Sequence, residues 1–211
     1  MRILIVGAGG VGSSAALIAA RRDFYEHIVI ADYDEERARE LVARIGDDRF
    51  SALQIDASDA QAVAQVCREH NITHVLNVVD PRFVVTIFEG AFLAGADYLD
   101  TAMSLSSLHP DQPYELPGVK LGDDQFAHAV AWEEAGRLAL VGIGVEPGLV
   151  DVFARYASDH LFSEIDELGV RDASDLVVHG YDFAPSFSIW TVIEECLNPP
   201  VIWEKDRGWY T

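Results

Sequence analysis

The feature that most restricts this chain is the turn Gly7-Ala8-Gly9-Gly10-Val11-Gly12 and what surrounds it. It directly follows the short apolar run Arg2 to Val6 and opens the Ala-rich stretch Val11 to Arg22. A short, almost wholly apolar run ahead of a glycine turn reads as a strand buried on both faces, and the Ala-rich stretch reads as a helix. Asp32 closes the next β-branched run, His27 to Ala31, twenty positions after Gly12. Strand, G-x-G-x-x-G turn, helix and a later acid together form the dinucleotide fingerprint, and the mechanics are physical. Gly7 permits the tight turn, Gly9 lets backbone approach a pyrophosphate, and Gly12 lets helix pack on sheet. The helix N-terminus, with Ala8, Gly10 and Val11 around it, offers N–H groups and a positive dipole end to the phosphates.

The same alternation continues along the chain. Asp34 to Ile45 is a charged amphipathic helix, Phe50 to Ile55 a strand, and Asp59 to Glu69 a helix with Asp59 as N-cap. Thr73 to Val79 follows as a strand, Phe83 to Ala94 as a helix and Asp97 to Leu99 as a short strand. Strands alternating with helices imply parallel strands and right-handed crossovers, an α/β Rossmann-type doubly wound sheet. Regularity then lapses from Ala102 to Asp123, a loop long enough to be functional. It returns as a helix over Asp124 to Ala135, a buried strand over Leu138 to Ile143, and a helix ending near His160. After that come strand-like pieces at Ile165 to Arg171, Leu176 to Tyr181 and Val201 to Lys205, with a short helix over Ser188 to Cys196. The expected division is a dinucleotide-binding domain over 1–160 and the beginning of a substrate domain over 161–211, ending on a strand without a partner.

Composition narrows the partners. A formal net charge of -20 argues against nucleic acid and anionic membrane, which are polyanions. Cys67 and Cys196 have no spacing for zinc or a disulfide framework, so no metal is expected and Cys67 reads as a buried structural thiol. The start on a strand, without a charged-then-apolar leader, fits a reducing, cytoplasmic setting.

The site candidates lie where parallel strands end, because ligands of such sheets bind beyond the strands' carboxyl ends. Asp32 is expected to accept from the ribose hydroxyls of the adenosine. With Tyr33 rather than Arg beside it, NAD is favoured, although Arg37 or Arg39 is able to offset the repulsion of an NADP 2′-phosphate. Asp56 and Ala57 are placed at the adenine pocket or at an ordinary strand-to-helix turn. Asn77 and Val78, followed by Asp80-Pro81, are placed on the nicotinamide side. Asp100 and Glu146 have two readings each: acid–base groups or anchors for a substrate ammonium, or plain caps of loops and helices.

Four segments carry a family resemblance: the Gly7 to Gly12 turn, Ala94-Gly95-Ala96-Asp97-Tyr98-Leu99-Asp100-Thr101, Gly142-Ile143-Gly144-Val145-Glu146-Pro147-Gly148, and Gly180-Tyr181-Asp182-Phe183-Ala184-Pro185-Ser186-Phe187-Ser188. Through them the whole chain resembles the saccharopine dehydrogenase-like (saccharopine reductase-type) proteins. Glu146 stands where relatives carry Asp. The resemblance implies a two-domain, NAD(P)-dependent oxidoreductase acting on a C–N bond of an amino-acid or polyamine-type substrate. It places Ser186 and Ser188 in the wall of the substrate domain; Asp100 and Glu146 are the candidates near the reacting nitrogen, and Thr101 is expected at the substrate. It also implies a chain longer than this one; the tail left by the incomplete second domain is expected either to be poorly ordered or to pack against a second copy, as a homodimer. A module of the same fold that senses NAD(H) without turnover is the alternative.

Overall fold

The computed structural model of the chain describes residues 1–171, 177–182, 184 and 189–211. It consists of two compact units, Met1–Leu105 with Leu121–Leu149, and Ser106–Lys120 with Val150–Thr211.

In the first unit the strands are β1 (Arg2–Val6), β2 (His27–Asp32), β3 (Phe50–Gln54), β4 (His74–Asn77), β5 (Asp97–Asp100) and β6 (Ala139–Leu140). Their helices are α1 (Gly10–Ala19), α2 (Glu35–Ile45), α3 (Ala60–Glu69), α4 (Val84–Ala94, entered through a 3₁₀ turn at Pro81–Phe83), α5 (Asp123–Phe126) and α6 (Ala129–Glu134). All six strands are parallel, in the order β3-β2-β1-β4-β5-β6. The order reverses between β1 and β4, which is where an open α/β sheet forms its ligand crevice.

Side-chain alternation explains the two-sided cover. Leu4, Val6, Val29, Ala31 and Val75 pack with Val63 and Cys67 of α3 and with Ile87, Phe88 and Ala91 of α4. Ile5, Ile28 and Ile30 point the other way, with Ala16 of α1 and Ala38 and Leu41 of α2. The period of two along each strand therefore feeds two cores, one on each face. Local chemistry sets the helix ends. Asp34 and Asp59 accept from the N–H groups of Glu36 and Gln61, and Gly46 and Gly95 end α2 and α4 in the left-handed region. Cys67 is buried as expected, and desolvation pushes its thiol up to about 12, so it stays protonated at neutral pH.

Several local expectations fail. The single helix over 124–135 is split into α5 and α6 around Ala127 and His128, a break that lets Gln125 and Trp132 both turn inward. The strand over 138–143 shrinks to two residues and is not buried: Leu138 is 59% and Leu140 44% exposed, because β6 is the sheet's edge and pairs with β5 alone. The terminal strand is not without a partner, as the second unit shows.

That unit contains α7 (Leu149–His160, whose first residue lies in the first unit), α8 (Ile189–Leu197) and an antiparallel hairpin of β7 (Ile202–Glu204) with β8 (Gly208–Tyr210). Trp203 pairs with Trp209 across it, and Arg207 lies 3.3 Å from the Tyr210 ring centroid. The stretch Ile165 to Arg171 forms no strand, and residues 177–181 hold a turn closed by Tyr181 N–H on Val178 O. Ser186 and Ser188 lie outside the described residues. Among the described residues no helix is long and apolar enough to cross a membrane, and no group of three or more His, Cys, Asp or Glu is placed to hold a metal.

Candidate functional site

The Gly-rich turn joins the end of β1 to the start of α1. Gly7 has φ +110°, a conformation that favours glycine, and a Cβ there would stand 2.8 Å from Val79 Cγ1 and 3.1 Å from Val78 O. Val78 thus belongs to the floor beneath the turn, its own N–H bonded to Val6 O. A Cβ on Gly12 would collide with Gly7 O, so only glycine lets the helix come this close. A Cβ on Gly9 or Gly10 would meet nothing within 4 Å. The open side of the turn is the side from which a ligand's pyrophosphate has to come. Gly9 is extended and caps α1 without a side-chain hydrogen bond, so the first-turn N–H groups next to Gly10, Val11 and Gly12 remain for an anion. These residues fit a dinucleotide.

Asp32 ends β2 beside this turn and is 5% exposed. Ala8 N–H donates to its Oδ2 at 2.8 Å and Asp34 N–H to its Oδ1 at 3.0 Å. Arg37 Nη1 stands 3.6 Å from Oδ1, and its guanidinium lies 5.4 Å from the Tyr33 ring centroid. Two N–H donors leave a carboxylate with acceptor sites to spare. At the end of β3, Asp56 accepts from Ser58 Oγ at 2.6 Å and from Ser58 N at 2.9 Å, bonds that hold its carboxyl below the usual range. This is the turn that leads into α3, and Ala57 packs on the adjoining core.

Beyond β4 and β5 the polar side chains face inward. Asn77 Nδ2 donates to Tyr98 Oη at 2.9 Å, and Asn77 Oδ1 accepts from Val79 N–H at 3.2 Å. Burial, first of all, pushes the Tyr98 phenol up, so it stays neutral. Asp100 is wholly buried. Its Oδ1 accepts from Gly142 N–H at 2.7 Å and Met103 N–H at 3.1 Å, and its Oδ2 from Gln125 Nε2 at 2.7 Å. Of its two readings the geometry fits the cap: two loop N–H groups and the Gln125 amide donate to a carboxylate that is buried away from solvent. Glu146 has the opposite surroundings. It is exposed, on a loop between Gly142 (φ +66°) and Gly148 (φ +130°), packed so tightly that a Cβ on Gly144 would stand 2.5 Å from Thr101 O. Asp100 therefore positions the loops on which Thr101 and Glu146 sit, with Ile143 N–H on Asp100 O completing the join.

Sequence reasoning misses Tyr98 and Gln125. The signal that could have found them is the polar pair Asn77 and Asp100 at the ends of otherwise buried strands, since buried polar groups require partners. The Arg82 guanidinium donates to Asp80 at 2.9 and 3.2 Å, and Arg171 Nη1 donates to Val170 O.

Comparison with known proteins decides the family. Residues 3–140 match the model described as "Saccharopine dehydrogenase NADP binding domain". This chain belongs to that family. Its cofactor class is accordingly NAD(P). Among curated relatives of this family member, carboxynorspermidine synthase of Vibrio cholerae is 32% identical over 97% of this chain and 50% of its own length. Carboxyaminopropylagmatine dehydrogenase of Synechocystis is 31% identical over 89% of this chain and 45% of its own. The chain thus spans about half the length of the curated relatives it matches. Among solved structures, apo saccharopine dehydrogenase (L-Glu forming) of Saccharomyces cerevisiae superposes with a TM-score of 0.58 at 18% identity, covering 76% of this chain and 31% of that one. That likeness supports the fold.

Proposed function

We propose that this chain is the cofactor-binding part of an NAD(P)-dependent oxidoreductase that moves a hydride at a C–N bond of an amino-acid or polyamine-type substrate. The observation that carries the proposal is the built crevice at the strand-order reversal, with its turn, its first-turn N–H groups and Asp32, in a chain whose curated relatives are named for carboxylated polyamines. The dinucleotide supplies the hydride chemistry; the protein supplies position and charge. The N-terminus of α1 holds the pyrophosphate, Asp32 the ribose hydroxyls, and the floor formed by Val78 and Val79 fixes the height of the turn. Asp100 acts through others: it is a positioning residue that keeps the two loops at the β5 and β6 ends in register. Glu146 is the acid free to exchange a proton with the substrate nitrogen or to hold its ammonium, with Thr101 nearby in the same loop pair. Ser186 and Ser188 keep the substrate role that the family resemblance gives them.

The test is nicotinamide absorbance in a reductive reaction of the chain in its full-length protein with a carboxylated aldehyde and a diamine. Glu146→Gln is expected to lower kcat by about 10²-fold or more, the usual size of a lost acid–base group, and to leave dinucleotide affinity in place. Binding of dinucleotide without turnover on any amine would favour the sensing module instead.

A further inference from the structure

The description of the family names NADP, yet the residues around the adenosine ribose site of this chain do not fit a 2′-phosphate as they stand. Asp32 places a carboxylate under the site and two backbone N–H groups fix it there, at 2.8 and 3.0 Å. The rest of the rim is acidic too. Asp34 caps α2, and Glu35 and Glu36 fill its first turn. Asp56 stands at the end of the neighbouring strand β3, where Asp32 is in register with Gln54. Two cations are near. Arg39 is taken by Glu35 at 2.7 Å. Arg37 is turned toward Asp32 and over the Tyr33 ring.

Arg37 is an odd choice for the helix itself. It lies in the first turn of α2, where the helix dipole favours anions, so its charge works against the helix end. Its distance of 3.6 Å from Asp32 is an ion-pair distance too long for a good hydrogen bond, and the planar fork of the guanidinium is not closed on the carboxylate. A guanidinium of that kind, 44% exposed at the side chain and 5.4 Å from an aromatic ring centroid, is suited to pairing with a phosphate.

We infer that Asp32 and Arg37 form a charge lock which makes this family member selective for NAD(H), with Arg37 a latent 2′-phosphate ligand that Asp32 holds in check. The inference rests on the reading of the Gly-rich turn as the pyrophosphate site. In the lock, Asp32 does two things: it accepts from the ribose hydroxyls of NAD, and it neutralises a cation that would otherwise draw in NADP. Removing the carboxylate should therefore not merely relieve repulsion. It should release a ligand for the phosphate.

Affinities for NADH and NADPH, with 2′,5′-ADP as a fragment probe, test this on the native chain and on Asp32→Ser and Asp32→Ser/Arg37→Ala. The native chain is expected to prefer NADH by at least 10-fold. Asp32→Ser should raise NADPH affinity by 10-fold or more, and adding Arg37→Ala should remove that gain. Persistence of the gain without Arg37 would overturn the lock, since relief of repulsion alone would then account for it. A native preference for NADPH would overturn it as well.

Salt gives a reading that needs no substitution, and so covers the case in which Asp32→Ser loosens the turn. If Asp32 repels the phosphate, adding salt narrows the gap between the two dinucleotides; if Arg37 already binds it, salt weakens NADPH and widens the gap. Failure of both dinucleotides to bind the native chain is a separate result, and it would overturn the reading of the turn and the lock with it.

Discussion

A methyl group placed on Gly12 would run into the carbonyl oxygen of Gly7, whereas one placed on Gly9 would meet nothing within 4 Å. The two glycines of one turn should therefore fail in different ways. Gly12→Ala forces α1 off the sheet and is expected to lower stability by about 1–3 kcal/mol, the usual cost of overpacking. Gly9→Val leaves the fold in place and obstructs the approach of the pyrophosphate, with an expected loss of dinucleotide affinity of at least 10-fold. Thermal melts followed by circular dichroism, beside NADH fluorescence titrations, separate the two effects. Equal melting temperatures with equal affinities would mean that the turn holds no phosphate. The close packing at Gly12 is legible in the sequence, because a turn with glycines at this spacing between a strand and a helix is one in which helix and strand approach closely. The role of Asp100 is not. Its N–H donors Met103, Gln125 and Gly142 lie 3, 25 and 42 positions away, and no local pattern joins them. Arg37 and Arg39 are equivalent candidates in the sequence, and only the folded chain shows that Arg39 is already paired with Glu35.

Among the elements, α3 and α4 pack most closely where Gly90 faces Val63. A Cβ on Gly90 would stand 2.6 Å from Val63 Cβ and 2.9 Å from Ala60 O, so the two helices touch through a missing side chain. Gly90→Ala gains helix propensity of about 1 kcal/mol, yet the clash with backbone should outweigh it. The expected result is a net loss of about 1–2 kcal/mol in urea denaturation at unchanged m. A more stable variant would show that the helices can slide apart without cost. The long, capped helices α2 and α3 can be read ahead of the structure to within a residue or so, because Asp34, Asp59 and Gly46 mark their ends. The edge strand β6 and the broken pair α5 and α6 cannot. An apolar run such as Leu138 to Ile143 says that something must be covered, not how much of it pairs. The break at Ala127 and His128 follows from the demands of Gln125 and Trp132, whose partners lie on β5 and α4.

On the scale of the whole molecule, a net charge of -20 is carried by 211 residues. Self-repulsion of that kind weakens the folded state and is screened by salt. Raising sodium chloride from about 0.01 M to about 0.5 M is expected to raise the Tm by a few degrees, with most of the gain below about 0.15 M, where the screening length falls to roughly 8 Å. A Tm that falls with salt throughout this range would point to ion pairs outweighing the repulsion. The sheet's parallel build can be anticipated from the alternation of strands and helices, but the grouping of residues 106–120 with the second unit cannot. A segment without periodicity carries no sign of the body to which it belongs.

The neck of that excursion is closed on the first unit's side. Gly122 N–H donates to Ser104 O, Ser104 N–H to the Gln125 side chain, and Gln125 in turn to Asp100. A loop pinched at its base is, for the sheet, a loop of almost fixed length. The chain between Ser104 and Gly122 can be lengthened at a cost that grows only with the logarithm of its length, about 0.6 kcal/mol per doubling. The register of β5, β6 and the Glu146 loop need not follow such a change. This chain thus has, at this neck, a place where residues can be added or exchanged without disturbing the sheet, and differences in length between it and its relatives should collect there.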